Sequence, residues 1–409
     1  MYVLTDSGNA YTYLWHSNEI VPGIVDDIDG QWDFAPFMPF SAMPKIESFI
    51  LSITEQCNLR CTYCCYSGNY ANNRRHSTKS MDAGDIDAIY DFIDTISPNR
   101  DIRISFYGGE PLLNYALVKY AVGAGYKRWN DKVIFSISTN GVLLTPTVID
   151  WIVDNSVELA ISVDGAGQYH DRYRVDKGGK GSFSRISSGL SYIKDNYPEY
   201  YQRLTIMMTT PSFSEIGEIA EAWHNDPLLR ELSPTMINGL APNFDTGVET
   251  VDFEMLRGIY SGLLDVYQHH PEWNVLRVFV NQCIMYWKDR PIMTPLEAVP
   301  MATCMPINTK LYIDAGLQIG VCEKMADNYR IGDVRRGVDW DEANSIVSAY
   351  YLRRKERCRM CPAVRMCDMC LTAMEHDDGQ WDVLCHNERV YTRVFFYLFC
   401  EMAERGLIR

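Results

Sequence analysis

The sequence predicts an α/β protein: a partial, TIM-like (βα)6 barrel preceded by a small element and followed by an irregular, cysteine-rich region. Three observations carry that prediction. Between residues 47 and 240, short apolar runs alternate with helix-length stretches, the pattern of a parallel sheet with crossover helices. The chain has 409 residues, 47% hydrophobic and 12% aromatic, which suits a large buried core and argues against disorder. Thirteen cysteines are present, and most fall in two groups, one directly after the first strand of the alternating region and one in the C-terminal third.

Taken in order, residues 1–45 read as a separate element. Tyr2-Val3-Leu4 and Tyr11-Thr12-Tyr13-Leu14 flank the turn-prone Asp6-Ser7-Gly8-Asn9, which predicts a hairpin, and a loose stretch with Pro36, Pro39 and Pro44 follows. Residues 46–245 hold the barrel. Its strands are expected at Phe49–Ile53, Ile102–Phe106, Val133–Ile137, Leu159–Val163, Leu204–Met208 and, more weakly, Thr235–Ile237, with helices such as Ala83–Ile96 and Leu112–Trp129 between them. Asn243–Gly247 reads as a linker, residues 246–300 as a helical connector with a helix from about Phe253 to His270, and 301–390 as the cysteine-rich region. A last helix is expected from about Glu388 to Arg405, and the C-terminal helical segment is bounded at 391–409. In folds of this class the reacting groups gather at the C-terminal ends of the strands, and the chemically suggestive residues here all follow a strand.

Composition excludes several functions. With 38 basic and 53 acidic residues the net charge is −15, which argues against a nucleic-acid or anionic-membrane binder. No basic leader precedes an apolar run at the start, and no stretch approaches the ~20 apolar residues of a membrane span. The expectation is a cytoplasmic protein, where clustered cysteines point to metal or redox sites rather than disulfides.

The first group is Cys57-Asn-Leu-Arg-Cys61-Thr-Tyr-Cys64. Three soft, anionic thiolates spaced C-x3-C-x2-C suit three corners of an iron–sulfur cubane, leaving one iron open to a ligand. Zinc, the alternative, typically takes four ligands in two separated pairs, and the adjacent Cys65 is badly placed to complete such a set.

This loop resembles the signature of the radical S-adenosylmethionine (SAM) family, and further motifs match in order. Tyr107-Gly108-Gly109-Glu110-Pro111 resembles the family's glycine-rich motif, in which backbone groups and the Glu hold the SAM amino group. Ser138-Thr139-Asn140-Gly141 and Ser162-Val163-Asp164-Gly165 stand where relatives contact the SAM ribose and carboxylate. Arg174 stands where relatives direct an Arg to the carboxylate, and Tyr63 where an aromatic borders the adenine. The resemblance covers residues 47–210. It implies SAM bound to the open iron of a [4Fe-4S] cluster and cleaved reductively to a 5′-deoxyadenosyl radical that abstracts hydrogen from a substrate.

The second group, Cys304, Cys322, Cys358, Cys361, Cys367, Cys370 and Cys385, resembles a SPASM domain, which carries two auxiliary [4Fe-4S] clusters. By that resemblance Cys358, Cys361, Cys367 and Cys385 hold one cluster, and Cys304, Cys322 and Cys370 the other. For the latter, Cys283 is a candidate fourth ligand, and without it an iron stays open to a substrate thiolate. Two spacings depart from the family: five residues separate Gly316 from Cys322 where four are usual, and Cys370 comes one residue early. Zinc ribbons place much more chain between their CxxC pairs than Cys361 and Cys367 allow. Cys65, Cys283 and Cys400 otherwise read as ordinary thiols.

SPASM-bearing relatives act mostly on polypeptides. The resemblance therefore implies a maturase that crosslinks residues of a ribosomally made precursor peptide through a thioether or C–C bond. The alternatives are a sulfatase-maturing, formylglycine-forming enzyme, a peptide epimerase or, outside catalysis, an iron–sulfur redox or scaffold protein. An electron donor such as flavodoxin or ferredoxin is expected. Residues 1–45 are short for the leader-recognition module such maturases often carry, so either the hairpin adds a strand to the peptide, or it covers the barrel mouth and a separate protein recognises the leader.

Overall fold

The computed structural model describes residues 1–26, 31–39, 45–70, 75–98, 101–240, 249–290, 307, 309–325 and 327–408. Cys304, Pro44 and the expected linker at Asn243–Gly247 lie outside them. Three short strands, β1 (Tyr2–Leu4), β2 (Ala10–Leu14) and β3 (Glu19–Pro22), form an antiparallel sheet, one strand more than the expected hairpin. Six parallel strands follow: β4 (Ser48–Thr54), β5 (Ile102–Gly108), β6 (Val133–Thr139), β7 (Glu158–Ser162), β8 (Thr205–Thr209) and β9 (Pro234–Asn238).

Helices connect successive strands. Ala83–Ile96, between β4 and β5, starts at a capping box in which Asp82 and Asp85 each accept the other's backbone N–H, and it buries Ile86, Ile89, Tyr90, Phe92, Ile93 and Ile96. Tyr115–Trp129 follows β5 after a 3-10 turn at Pro111–Asn114, so its regular part begins three residues later than expected. Pro146–Asp154, Phe183–Asn196 and Ile216–Asn225 cover β6, β7 and β8. The helix-facing side of the sheet is packed, with Ile104, Phe106, Phe135, Ile137, Ile161 and Ile206 fully buried.

The opposite face differs in kind. Its alternating positions carry Ser105, Ser136, Ser138, Ala160 and Ser162, all half-buried, and Met207 and Met236, 38% and 48% exposed. A closed TIM barrel fills this side with bulky branched residues. Here small polar side chains leave the inner face partly open, with room at the strand ends for ligands.

The cysteine-rich region carries more regular structure than its sequence pattern suggests. β10 (Lys310–Ile313) pairs parallel to β4, and the antiparallel strands β11 (Gln318–Gly320), β12 (Arg330–Asp333) and β13 (Gly337–Val338) follow, giving one ten-stranded sheet in the order β13-β12-β11-β10-β4-β5-β6-β7-β8-β9. This extension brings Cys322, just past β11, towards the β4 edge. Helix Trp340–Cys358 ends in the first cysteine of the CxxC pair. The last helix runs from Asp378 to Glu404, ten residues earlier than expected, because Asp377 and Gln380 form a capping box. Cys385 is therefore a helical residue.

The N-terminal sheet docks on this C-terminal region. Tyr13 packs edge-on against Trp287 and near Phe396, and Glu404 accepts hydrogen bonds from Thr5, Ser7, Asn9 and Tyr11. Those contacts place it against the last helix, not over the barrel mouth. The chain then runs along helix Trp340–Cys358, where Trp32 N–H donates to Arg359 O (2.8 Å) and Tyr351 Oη to Ala35 O (2.5 Å). No helix among the described residues is long and apolar enough to cross a membrane.

Candidate active site

Residues 55–66 leave the end of β4 as a loop fixed on three sides. From β5, Gly109 N–H donates to Thr54 O (2.7 Å) and Glu110 N–H to Gln56 O (2.8 Å). From β6, Asn140 Nδ2 donates to Asn58 Oδ1 (2.7 Å) and reaches Cys57 Sγ (3.7 Å). From the segment after β7, Val175 O accepts from Arg60 N–H (2.6 Å) and Tyr173 O from Thr62 N–H (3.1 Å). The glycines are required by this approach: a Cβ at Gly109 would lie 2.0 Å from Gln56 O, and one at Gly108, whose φ is +128°, 2.2 Å from Thr54 O. The chain's own backbone, before any ligand, explains the Gly-Gly pair.

Glu110 is fully buried. Its Oε1 accepts from Leu112 N–H (3.1 Å) and Thr139 Oγ1 (2.8 Å), and its Oε2 from Asn140 N–H (2.8 Å). Burial pushes its carboxyl up to about 7, against the pull of those hydrogen bonds. The side chain expected to hold a ligand amine thus also ties the end of β5 to the end of β6.

Asp164, just past β7, organises a second knot. It forms a fork with Arg174, at 2.7 Å to Nε and 3.3 Å to Nη2, and accepts from Thr209 N–H (3.0 Å) and the Tyr63 hydroxyl. The guanidinium of Arg174 lies 5.4 Å from the centre of the Tyr63 ring. Burial opposes the Arg174 charge, but Asp164, Tyr63 and the nearby Cys61 outweigh it. Arg174 therefore engages Asp164 in this structure, whereas the sequence reading directed it at a ligand carboxylate. Ser138 and Ser162 lie on the open inner face, where Ser138 Oγ contacts Met207 Sδ at 3.5 Å.

Behind this knot is a histidine the sequence reading missed. His170 is fully buried; its Nδ1 accepts from Asp164 N–H (3.3 Å) and its Nε2 meets Ser182 Oγ (3.0 Å), which donates to Arg174 O (2.8 Å). An Nδ1 acceptor fixes the Nε2–H tautomer. Burial lowers the pKa to about 4, so the ring is neutral. No sequence motif marks His170. A signal for the open inner face does stand in the sequence, the alternation of Ser and Ala with Ile and Phe along β5, β6 and β7.

The cysteines group in space. Cys61 acts electrostatically on both Cys57 and Cys64. Burial pushes the Cys57 thiol up to about 11, so binding a cation is what would deprotonate it. In the second constellation Cys358 acts on Cys361, Cys367 and Cys385, and Cys370 acts on Cys322. Cys283 and Cys400 are buried in helices, and no other described cysteine acts on either thiol. No disulfide joins any two of the described cysteines.

One local feature tests whether iron–sulfur clusters fit. The backbone N–H two residues ahead donates to the sulfur at Cys57 (from Leu59, 3.4 Å), Cys64 (from Tyr66, 3.4 Å) and Cys322 (from Lys324, 3.4 Å), and the same pairing joins Ala363 to Cys361 and Met369 to Cys367. Amides turned onto sulfur stabilise thiolates and tune a cluster. The donors present fit the group. Among the described residues no three His, Cys, Asp or Glu side chains converge on a single ion, whereas cubane ligands bind separate irons.

Residues 51–222 match the model of the Radical SAM superfamily. This segment is a radical SAM domain. The domain implies SAM and a [4Fe-4S] cluster as cofactors. Over 174 residues the chain is 29% identical to the cysteine-type anaerobic sulfatase-maturating enzyme of Clostridium novyi (strain NT), covering 40% of this chain and 44% of that protein. Over 223 residues it is 24% identical to the radical SAM cyclopropyl synthase TigE of Paramaledivibacter caminithermalis, covering 47% and 45%. The chain spans about half the length of the curated relatives it matches. Among solved structures, native anSMEcpe with bound AdoMet and the Cp18Cys peptide superposes with a TM-score of 0.62 at 16% identity, over 89% of this chain and 99% of that one. Streptococcus suis SuiB bound to precursor peptide SuiA gives 0.50 at 12%, over 82% and 74%. At these identities the likeness is one of fold. The fold shared with native anSMEcpe thus extends beyond residues 51–222 into the C-terminal region.

Proposed function

We propose that this chain is a maturase-type radical SAM enzyme that modifies a polypeptide. The observation that carries the reading is the Cys57–Cys64 loop, clamped by Gly109, Glu110 and Asn140 at the mouth of a partly open, serine-lined sheet face. When bound, the cluster and SAM supply a carbon radical able to abstract hydrogen. The chain's own residues do the rest. Cys57, Cys61 and Cys64 hold the cluster. Gly108, Gly109, Glu110, Ser138, Asn140, Ser162, Asp164, Arg174 and Tyr63 shape the SAM site around the strand ends. Cys358, Cys361, Cys367 and Cys385 hold one auxiliary [4Fe-4S] cluster, and Cys322, Cys370 and Cys304 contribute to a second.

The favoured reaction is a thioether or C–C crosslink in a ribosomally made precursor peptide, with electrons from a flavodoxin or ferredoxin and leader recognition by the N-terminal sheet or a separate protein. The names of the sulfatase-maturating relatives favour a second reading, oxidation of a sulfatase Cys or Ser to formylglycine. Anaerobic incubation with SAM and a reductant tests the common part: 5′-deoxyadenosine forms in wild type and not in the C57A/C61A/C64A variant. Its absence in wild type overturns the proposal. Mass spectrometry of the peptide then separates the reactions. A crosslink loses two hydrogens, formylglycine captures a hydrazide, and an epimer gains one deuteron from heavy water.

A further inference from the structure

Arg354 sits in the last turns of helix Trp340–Cys358 and is 1% exposed. Its Nη1 donates to Tyr350 Oη (3.2 Å) and Met369 O (3.1 Å), while its Nη2 is buried with no hydrogen-bond partner. A buried guanidinium with an idle donor is costly unless an anion or acceptor belongs beside it. No carboxylate forms an ion pair with it among the described residues. Cys358 lies one turn further along the same helix, and the Met369 carbonyl that Arg354 binds is two residues past Cys367. Cys367, Tyr350 and Cys358 act on its charge, in that order, and the carboxylate of Glu388, which also bonds Cys367, feels it too without forming an ion pair. The other cations near this set differ in kind. Arg357 is tied to Asp378 and Asp382, and Arg389 is exposed.

We propose that Arg354 is the charged hydrogen-bond donor to the auxiliary cluster held by Cys358, Cys361, Cys367 and Cys385, and that it raises the potential at which this cluster accepts an electron. The inference rests on the auxiliary-cluster reading. A cation and an N–H donor beside cluster sulfur favour the reduced, more negative state. Arg354 is thus a tuning residue and touches no substrate.

The test is an EPR-monitored potentiometric titration of the full, anaerobically reconstituted chain, with iron counted on each sample. R354M should move one couple to more negative potential, and R354K should move the same couple less. R365M is the control: Arg365 is a buried cation of the segment between Cys361 and Cys367, 5% exposed, whose Nε and Nη2 are turned away to donate to Trp15 O and His16 O. It should leave every couple in place. Unshifted couples in R354M and R354K at full iron content overturn the inference while the clusters stand, and so does an equal shift in R365M. Should R354M assemble poorly, R354K carries the test. A wild type with only about four irons overturns the auxiliary-cluster reading, and this inference with it.

Discussion

Replacing Gly109 with alanine tests whether the Gly-Gly pair serves the chain's own backbone. The added Cβ would stand 2.0 Å from Gln56 O and 2.5 Å from Gln56 C. Ordinary contact begins at 3.4 Å, so the Gln56 peptide must retreat by about 1.4 Å. That displacement breaks or stretches the bonds from Gly109 N–H to Thr54 O and from Glu110 N–H to Gln56 O. Two backbone hydrogen bonds at about 1 kcal/mol each, with overpacking of about 1–3 kcal/mol, give a loss of roughly 3–5 kcal/mol. Because Cys57 follows Gln56 directly, G109A should also lose the cluster of the Cys57–Cys64 loop. The comparison is Gly123 in helix Tyr115–Trp129, whose added Cβ meets nothing within 4 Å. G123A should gain roughly 0.5–1 kcal/mol from helix propensity. Urea denaturation and iron content after reconstitution read both variants. A G109A protein with wild-type midpoint and iron content would refute the reasoning.

Asp164 and Arg174 form a buried charge pair, so R174M or D164N alone should cost about 3–5 kcal/mol by stranding its partner. The double variant should lose less than the sum, and additive losses in a double-mutant cycle would contradict the pairing. His170 titrates at about 4 when folded and near 6.5 when unfolded, so the unfolded chain takes up protons first as pH falls. In the metal-free protein, wild-type stability relative to H170Q should drop by up to about 3 kcal/mol between pH 6.5 and 4; a constant difference over that window argues against it. Glu110 acts in the opposite sense. Its folded pKa of about 7 lies above 4.5, so stability relative to E110Q should fall by up to about 3 kcal/mol as pH rises from 4.5 to 7, in the same denaturation series.

The six parallel strands were legible because each is a short apolar run separated from the next by a helix-length stretch, from Ser48–Thr54 to Pro234–Asn238. The cysteine spacings marked both constellations, and the structure brings Cys358 together with Cys361, Cys367 and Cys385. What was hidden depends on long-range pairing. β10 is four residues long, β11 three and β13 two, too short for a period to show, and nothing local announces that Lys310–Ile313 aligns with Ser48–Leu51. The early start of the last helix was readable in Asp377 and Gln380, a capping-box pair overlooked beside the more apolar stretch downstream. His170 and Arg354 carry no motif, because their roles come from burial and from partners distant in sequence.

Iron and acid-labile sulfide counted on the anaerobically reconstituted chain test the central claim most directly. The account predicts about twelve irons in wild type and about eight in the C57A/C61A/C64A variant, with one cluster lost and two retained. About four irons in wild type, all lost in the variant, would contradict the auxiliary clusters, and an iron content unchanged by the triple substitution would contradict the site itself.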